Sequence, residues 1–287
     1  MYLQKRKKVT GSQHTINKLP TNTRCNRGFF AISTIMRGFS FCTIWLRNWR
    51  VWKKHILAAL IGNLGQPLLF LLAMGYGLGR DVGPMNGLTY LQFIAPGLVA
   101  SAVMYSAALE TTYGSYTRLT VQKTYEAILM TPLGVVDLVL GEIVWGASKG
   151  LLAGVIMLLA LPLFGVVPSP WVLALLPVLF LSGMFFSAFG LIMTALAKNY
   201  DFFNYFTSLV ITPLFLFSGI FFPVQTMAQP VRGLLEMLPL TPIVSLARIF
   251  CYGRFDEPIL LKFLGSILVT GCAVWLAGYL LRRRLIQ

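Results

Sequence analysis

Six apolar stretches, each about long enough to cross a bilayer, occupy most of this 287-residue chain. They run roughly 56–78, 91–112, 138–163, 171–197, 203–222 and 259–281. A span needs about 20 apolar residues. In lipid only a helix or a closed barrel satisfies its own backbone polar groups. The period-2 alternation of barrel strands is missing, so all six read as helices. Charged residues make up 11% of the chain and hydrophobic ones 56%; soluble domains carry about 25% charged residues. Too little polar surface is present to wrap a water-soluble fold. The expected class is therefore all-α integral membrane: six transmembrane helices, an N-terminal interfacial amphipathic helix, and short re-entrant or surface helices on the outer face.

Charge sets the expected orientation. The net charge is +15, from 24 Lys+Arg against 9 Asp+Glu. Twelve of the basic residues precede position 55, and Arg282, Arg283 and Arg284 close the last span. Adding Arg118, Lys123 and Lys198 from connecting loops puts 18 basic residues on one side. Arg80, Arg232, Arg248, Arg254 and Lys262 give the other side five, and Lys149 falls within a span. Basic residues are retained in the cytoplasm, so both termini are expected there, with the basic clusters against anionic lipid and no role for nucleic acid. Residues 1–28 form a polar, basic tail without the apolar core of a signal peptide.

Residues 29–54 differ from the spans. Ile32, Ile35, Met36, Phe39, Cys42, Leu46 and Trp49 recur at helical spacing among Arg37, Arg47, Arg50, Lys53 and Lys54. This pattern predicts an interfacial amphipathic helix on the cytoplasmic leaflet, ahead of a membrane domain over 55–287. Pro223, Pro230, Pro239 and Pro242 interrupt 223–258, which predicts two short helices at the outer face.

The chain lacks GxSxG, HExxH and any accessible acid pair. Gly141 and Gly146 have the spacing of a phosphate loop, but Ala147 follows where lysine is required. ATP therefore has no site of this kind here, and an ATP-driven process would need a separate ATPase. Cys25, Cys42, Cys251 and Cys272 form no metal spacing, and His14 and His55 are isolated. No metal site is expected.

Polar residues within the spans are the remaining candidates. A lysine at a helix centre costs roughly 2.5–3.5 kcal/mol, which the apolar run around Lys149 offsets at about 0.3–0.6 kcal/mol per residue. Glu142 lies on nearly the same face, and Glu110 lies near the end of the second span. These three either line a substrate path or form a buried ion pair. Thr207, Ser208 and Thr212 in the fifth span either bond to their own backbone or line the same path. Gly146, Gly150 and Gly154 repeat every four residues, the spacing that lets helices pack closely. The segment 116–134 is expected to hold a cytoplasmic helix, either solvated or docked on a soluble partner.

Several motifs together resemble the permease subunit of type-2 ABC exporters. They are EAILMTPLGVVDLVLGE (126–142), SGIFFPVQTMAQP (218–230) and LPLTPIVSLAR (238–248), with the amphipathic helix and the six spans. IGNLGQPLLFLLAMGYGLG (61–79), APGLVASAVMYSA (95–107), ETTYGSYTRLTVQKTYEAIL (110–129) and WGASKGLL (145–152) resemble the nodulation protein J and lipooligosaccharide exporter permeases within that family. The resemblance covers roughly 30–285. It departs at Pro242, where the family carries histidine, while Arg248 is retained. It implies a homodimer in the bacterial inner membrane, with two copies of a cytoplasmic ABC ATPase that binds ATP and Mg. It further implies a coupling helix over 116–130, with Arg118, Gln122, Lys123 and Glu126 at the contact and the 30–54 helix in support. The implied cargo is an amphiphilic glycolipid or lipooligosaccharide. A polysaccharide or hydrophobic drug, an ion-coupled secondary transporter, and a membrane enzyme acting on glycolipids are the alternatives.

Overall fold

The computed structural model describes residues 40–77, 79, 81–85, 87–253 and 258–286. The expected tail 1–28 and the 29–39 part of the amphipathic helix lie outside them. The described residues are nearly all helical, with no strand among them beyond an isolated bridge between Met85 and Leu88.

Helix α1 (Ser40–Trp52) leads through a short turn, Lys53–His55, into α2 (Ile56–Leu72), which ends in a π turn, Ala73–Gly77. Helix α3 (Tyr90–Leu109) starts at a capping box, in which Thr89 and Gln92 satisfy each other's backbone N–H groups. It continues through a π turn, Glu110–Gly114, into α4 (Ser115–Thr120). After a break comes α5 (Thr124–Leu129), then α6 (Val135–Ala160) and α7 (Leu175–Leu196). Helices α8 (Asp201–Phe206) and α9 (Thr212–Phe217) flank a π segment at Thr207–Ile211. Helices α10 (Gln229–Glu236) and α11 (Leu240–Tyr252) come next, and α12 (Ile259–Ile286) closes the chain.

The core is built around α3, buried without interruption from Phe93 to Ala108. Helix α6 packs on α3 and α7, α7 on α12, α11 on α3, and α1 on α6. Close approach results from small residues. A Cβ on Gly183 would stand 2.9 Å from Ala147 Cα, and one on Gly146 would stand 2.4 Å from Ser187 Oγ. At Gly150 and Gly154 the limiting atoms belong to Val103, at 3.0 and 2.7 Å. Helix α12 buries only Thr270, Ala277 and Leu281. It exposes Leu260, Leu261, Leu268 and Trp275, an apolar face suited to lipid and not to water.

Among the described residues, four helical runs are long and apolar enough to cross a membrane: 90–120, 135–164, 170–196 and 259–286. A fifth is reached if α10 and α11, bent by 85°, count as one broken span. The stretches expected at 56–78 and 203–222 are helical, but their apolar helices, Gly65–Gly75 and Asp201–Phe217, are shorter. Pro67 lies inside the first and Pro213 inside the second, and each removes a backbone donor.

The structure corrects the single helix expected over 116–130. Its first half is the end of the second span, carried on by the π turn at Glu110–Gly114. The helix then stops because the N–H groups of Val121 and Gln122 both turn back to the Thr117 carbonyl, and Lys123 takes the left-handed conformation at φ 54°. Helix α5 begins after that reversal.

Candidate functional site

The π turn gives α3 one extra residue and re-aims the side chains of α4. Thr111 and Thr112 return their hydroxyls to the carbonyls of Ala107 and Ala108, while Thr194 on α7 donates to the Thr111 carbonyl at 2.7 Å. These bonds satisfy backbone groups that the turn disturbs. Glu110 and Arg118 then face α6.

Four charges meet there. Arg118 bridges two carboxylates, with Nη1 2.9 Å from Glu110 Oε1 and Nη2 2.7 Å from Glu142 Oε2. Lys149 Nζ lies 2.6 Å from Glu110 Oε2. Trp145 Nε1 donates to Glu110 at 2.8 Å. Ser115 Oγ and Asn48 Nδ2 donate to Glu142 at 2.9 and 3.0 Å. The Glu142 side chain is fully buried, and the other three charged side chains are at most 14% exposed. Two cations balance two anions, and each carboxylate also accepts from neutral donors. That balance is what permits ionised groups at such depth.

Helix α1 closes one side. Ile44 fills the space that Gly141 leaves, where a Cβ would stand 2.8 Å from the Ile44 Cβ. Trp45 Nε1 donates to Ser148 Oγ at 3.0 Å. Trp45 and Trp49 stack with 5.9 Å between ring centres, and Trp45, Trp49 and Trp52 each meet the Trp145 ring edge-on. The Lys149 ammonium lies 5.7 Å from the Trp52 ring centre. A cavity of about 620 Å³ opens beside the cluster, bordered by Arg47, Trp52, Tyr113, Arg118 and Gln122. Arg47 Nη2 donates to Asn48 Oδ1 at 2.7 Å, while its buried Nε and Nη1 have no hydrogen-bond partner.

The four residues expected at a partner contact divide. Arg118 turns inward to the cluster, whereas Gln122, Lys123 and Glu126 are exposed beside Val121 and Met130. Lys123 and Glu126 pair at 2.8 Å across the surface. Beneath them Tyr125 and Ile128 anchor α5 in a cluster with Ile44, Leu138 and Ile143. Burial pushes the Tyr125 phenol well above its ordinary range, with Glu142 acting in the same direction. It stays neutral at any physiological pH.

Lys149 and Glu142 share a helix face but reach different partners, Glu110 and Arg118. Thr212 Oγ1 donates to the Thr207 carbonyl at 3.0 Å and Ser208 is exposed; neither belongs to the cluster. Asn48, Ser115 and Trp145 escaped sequence reasoning. Asn48 carried a faint signal, since it lies one helical turn beyond Ile44 on the packed face.

Arg248 acts elsewhere. It donates to the carbonyls of Phe93, Gly219 and Ile220 and lies 3.8 Å over the Phe93 ring. It thereby holds α11 to α3 and to the turn after α9, where Gly219 has φ 76°. Among the described residues no three His, Cys, Asp or Glu side chains gather as metal ligands.

Known proteins share this sequence pattern. The family described as ABC-2 type transporter matches residues 39–252. Nodulation protein J of Sinorhizobium fredii is 37% identical over 87% of this chain and 95% of its own length. Nodulation protein J of Rhizobium meliloti is 36% identical over 86% and 95%. The inner membrane transport permease YadH of Escherichia coli is 28% identical over 83% and 91%.

Proposed function

The chain belongs to the ABC-2 type transporter family, and we propose accordingly that it is the permease subunit of an ATP-driven exporter. The permease carries no nucleotide chemistry of its own. Two copies pair in the bacterial inner membrane with both termini in the cytoplasm. Each copy docks on one ABC ATPase, which holds ATP and Mg. The cargo is a lipooligosaccharide or similar amphiphilic glycolipid, in keeping with the likeness to nodulation protein J.

One observation carries the coupling. The exposed surface of Val121, Gln122, Lys123, Glu126 and Met130 lies on α5 and its flanking turns. Beneath it Arg118 pairs with Glu110 and Glu142, and Tyr125 and Ile128 pack with Ile44 of α1 and Leu138 and Ile143 of α6. Arg118 joins carboxylates on two different helices, so a push on α4 and α5 reaches α3 and α6 together. Discrete packed arrangements transmit such displacements. The cavity between α1 and the cluster, with its tryptophan, arginine and amide groups, gives a sugar headgroup a surface on the cytoplasmic side.

The test is reconstitution. The purified chain alone hydrolyses no ATP. Joined with its ABC ATPase in proteoliposomes, it moves glycolipid only while ATP lasts, whether or not a proton gradient is present. Met130→Glu with Glu126→Arg abolishes co-purification with the ATPase and transport together, leaving the fold intact. Transport that survives ATP depletion and tracks a proton gradient makes the chain a secondary transporter. Full transport by the double variant removes α5 from the contact.

A further inference from the structure

Eight buried side-chain polar atoms among the described residues have no hydrogen-bond partner. Four of them belong to three residues in the wall of one cavity, the space of about 620 Å³ beside the ionic cluster. They are Nε and Nη1 of Arg47, Nε of Arg118 and Nε1 of Trp52. Each is an N–H group that donates and cannot accept. Buried donors are nearly always paired, and one left unpaired costs stability. Such a concentration of donors in one wall fits a ligand rich in acceptor oxygens.

Charge narrows the ligand. Arg47 donates to Asn48 through Nη2 and forms no ion pair among the described residues. Burial holds its pKa below the usual arginine value, and Glu142 only partly offsets that. The cluster beside it is already balanced, with Glu110 and Glu142 facing Arg118 and Lys149. Glu110 borders the cavity too, but its oxygens accept from Arg118, Lys149 and Trp145. The chain around Arg47 supplies no further carboxylate side chain, since Asp81 is the first acidic residue of the sequence. Glu126 pairs with Lys123 at the surface, and Asp137 accepts from the Gly134 N–H. Arg47 is therefore a surplus cation in this wall.

The cavity is bordered by Gly114, Thr117 and Arg118, near the end of the helical run 90–120 and so near a membrane boundary. Exposed Val51 and Gln122, one apolar and one polar, also border it. Its volume falls in the range of small-molecule sites, about 300–1,000 Å³. We propose that this cavity holds the phosphate of an anionic amphiphile. The phosphate lies against Arg47 and Arg118, whose planar forks match its oxygens, and the apolar tail leaves past Val51 into lipid. The inference rests on the proposed function only in treating the cavity as a headgroup site; neither export nor ATP enters it.

Native mass spectrometry of the full chain in detergent tests it, with phosphatidylglycerol, phosphatidylcholine of equal acyl length and inorganic phosphate as probes. The wild type holds one phosphatidylglycerol more tightly than phosphatidylcholine, and inorganic phosphate does not displace it. Arg47→Gln keeps a donor for Asn48 yet weakens that binding about 10- to 100-fold, the range for a lost hydrogen bond to a charged group. Its lipid-free melting temperature matches the wild type, which separates lost binding from lost fold. Arg47→Lys, which keeps the charge without the fork, binds with intermediate strength. Arg50→Gln removes an exposed charge from the same helix and leaves the binding unchanged. Equal losses in Arg47→Gln and Arg50→Gln reduce the effect to general surface charge and overturn the site, as does equal affinity for the two lipids. Displacement by inorganic phosphate makes a free anion the ligand and overturns the amphiphile. A wild type that binds phosphatidylglycerol in this way but shows no ATP-driven transport defeats the exporter reading and leaves this site standing.

Discussion

Glu142 shows how strongly a single buried charge is held. Its carboxylate accepts from Arg118, Ser115 and Asn48, all on helices other than its own. Glu142→Ala leaves the Arg118 guanidinium short of a partner, and breaking a buried pair costs about 3–5 kcal/mol. Thermal unfolding in detergent will therefore show a large drop in melting temperature. The double variant Glu142→Leu with Arg118→Met will recover part of it, because neither charge is then stranded. Glu126→Ala changes stability by about 0.5 kcal/mol or less, as expected at an exposed position. A Glu142→Ala protein that melts with the wild type contradicts the ionic cluster. The sequence revealed Glu142 and Lys149 on one face of one helix. It could not reveal that Glu110 and Arg118 would meet them, since that depends on the π turn and on how α3 packs against α6.

At the scale of elements, glycine decides which helices touch. A Cβ on Gly183 would stand 2.9 to 3.0 Å from Ala147 backbone atoms, whereas one on Gly271 of α12 would meet nothing within 4 Å. Gly183→Ala will destabilise the fold by about 1–3 kcal/mol through overpacking. Gly271→Ala will be neutral or raise the melting temperature, because alanine favours a helix by up to about 1 kcal/mol. Equal effects of the two changes exclude the observed contact of α6 and α7. The apolar stretches made the helices legible, and the four-residue glycine repeat in α6 pointed to close packing. The break at Lys123 was illegible, because lysine is not a residue that signals a left-handed turn. Lys123→Gly will leave the melting temperature equal or higher, since glycine adopts positive φ without a steric penalty, while Lys123→Val will lower it. The opposite order excludes the reversal between α4 and α5.

At the scale of the whole molecule, composition alone established the class. A chain with 11% charged residues and exposed leucines along α12 needs lipid around it. The number of crossings was less legible, because proline and π turns shorten the apolar helices in 56–78 and 203–222. Export driven by a cytoplasmic ATPase, as proposed, requires the α4–α5 surface to face the cytoplasm, the side on which a surplus of basic residues is expected. Labelling of Glu126→Cys decides the matter, with all four native cysteines replaced by serine and a membrane-impermeant maleimide as reagent. Labelling is expected in inverted inner-membrane vesicles and none in intact spheroplasts. Labelling in spheroplasts would set the surface facing out, beyond the reach of any cytoplasmic ATPase, and would contradict the exporter reading.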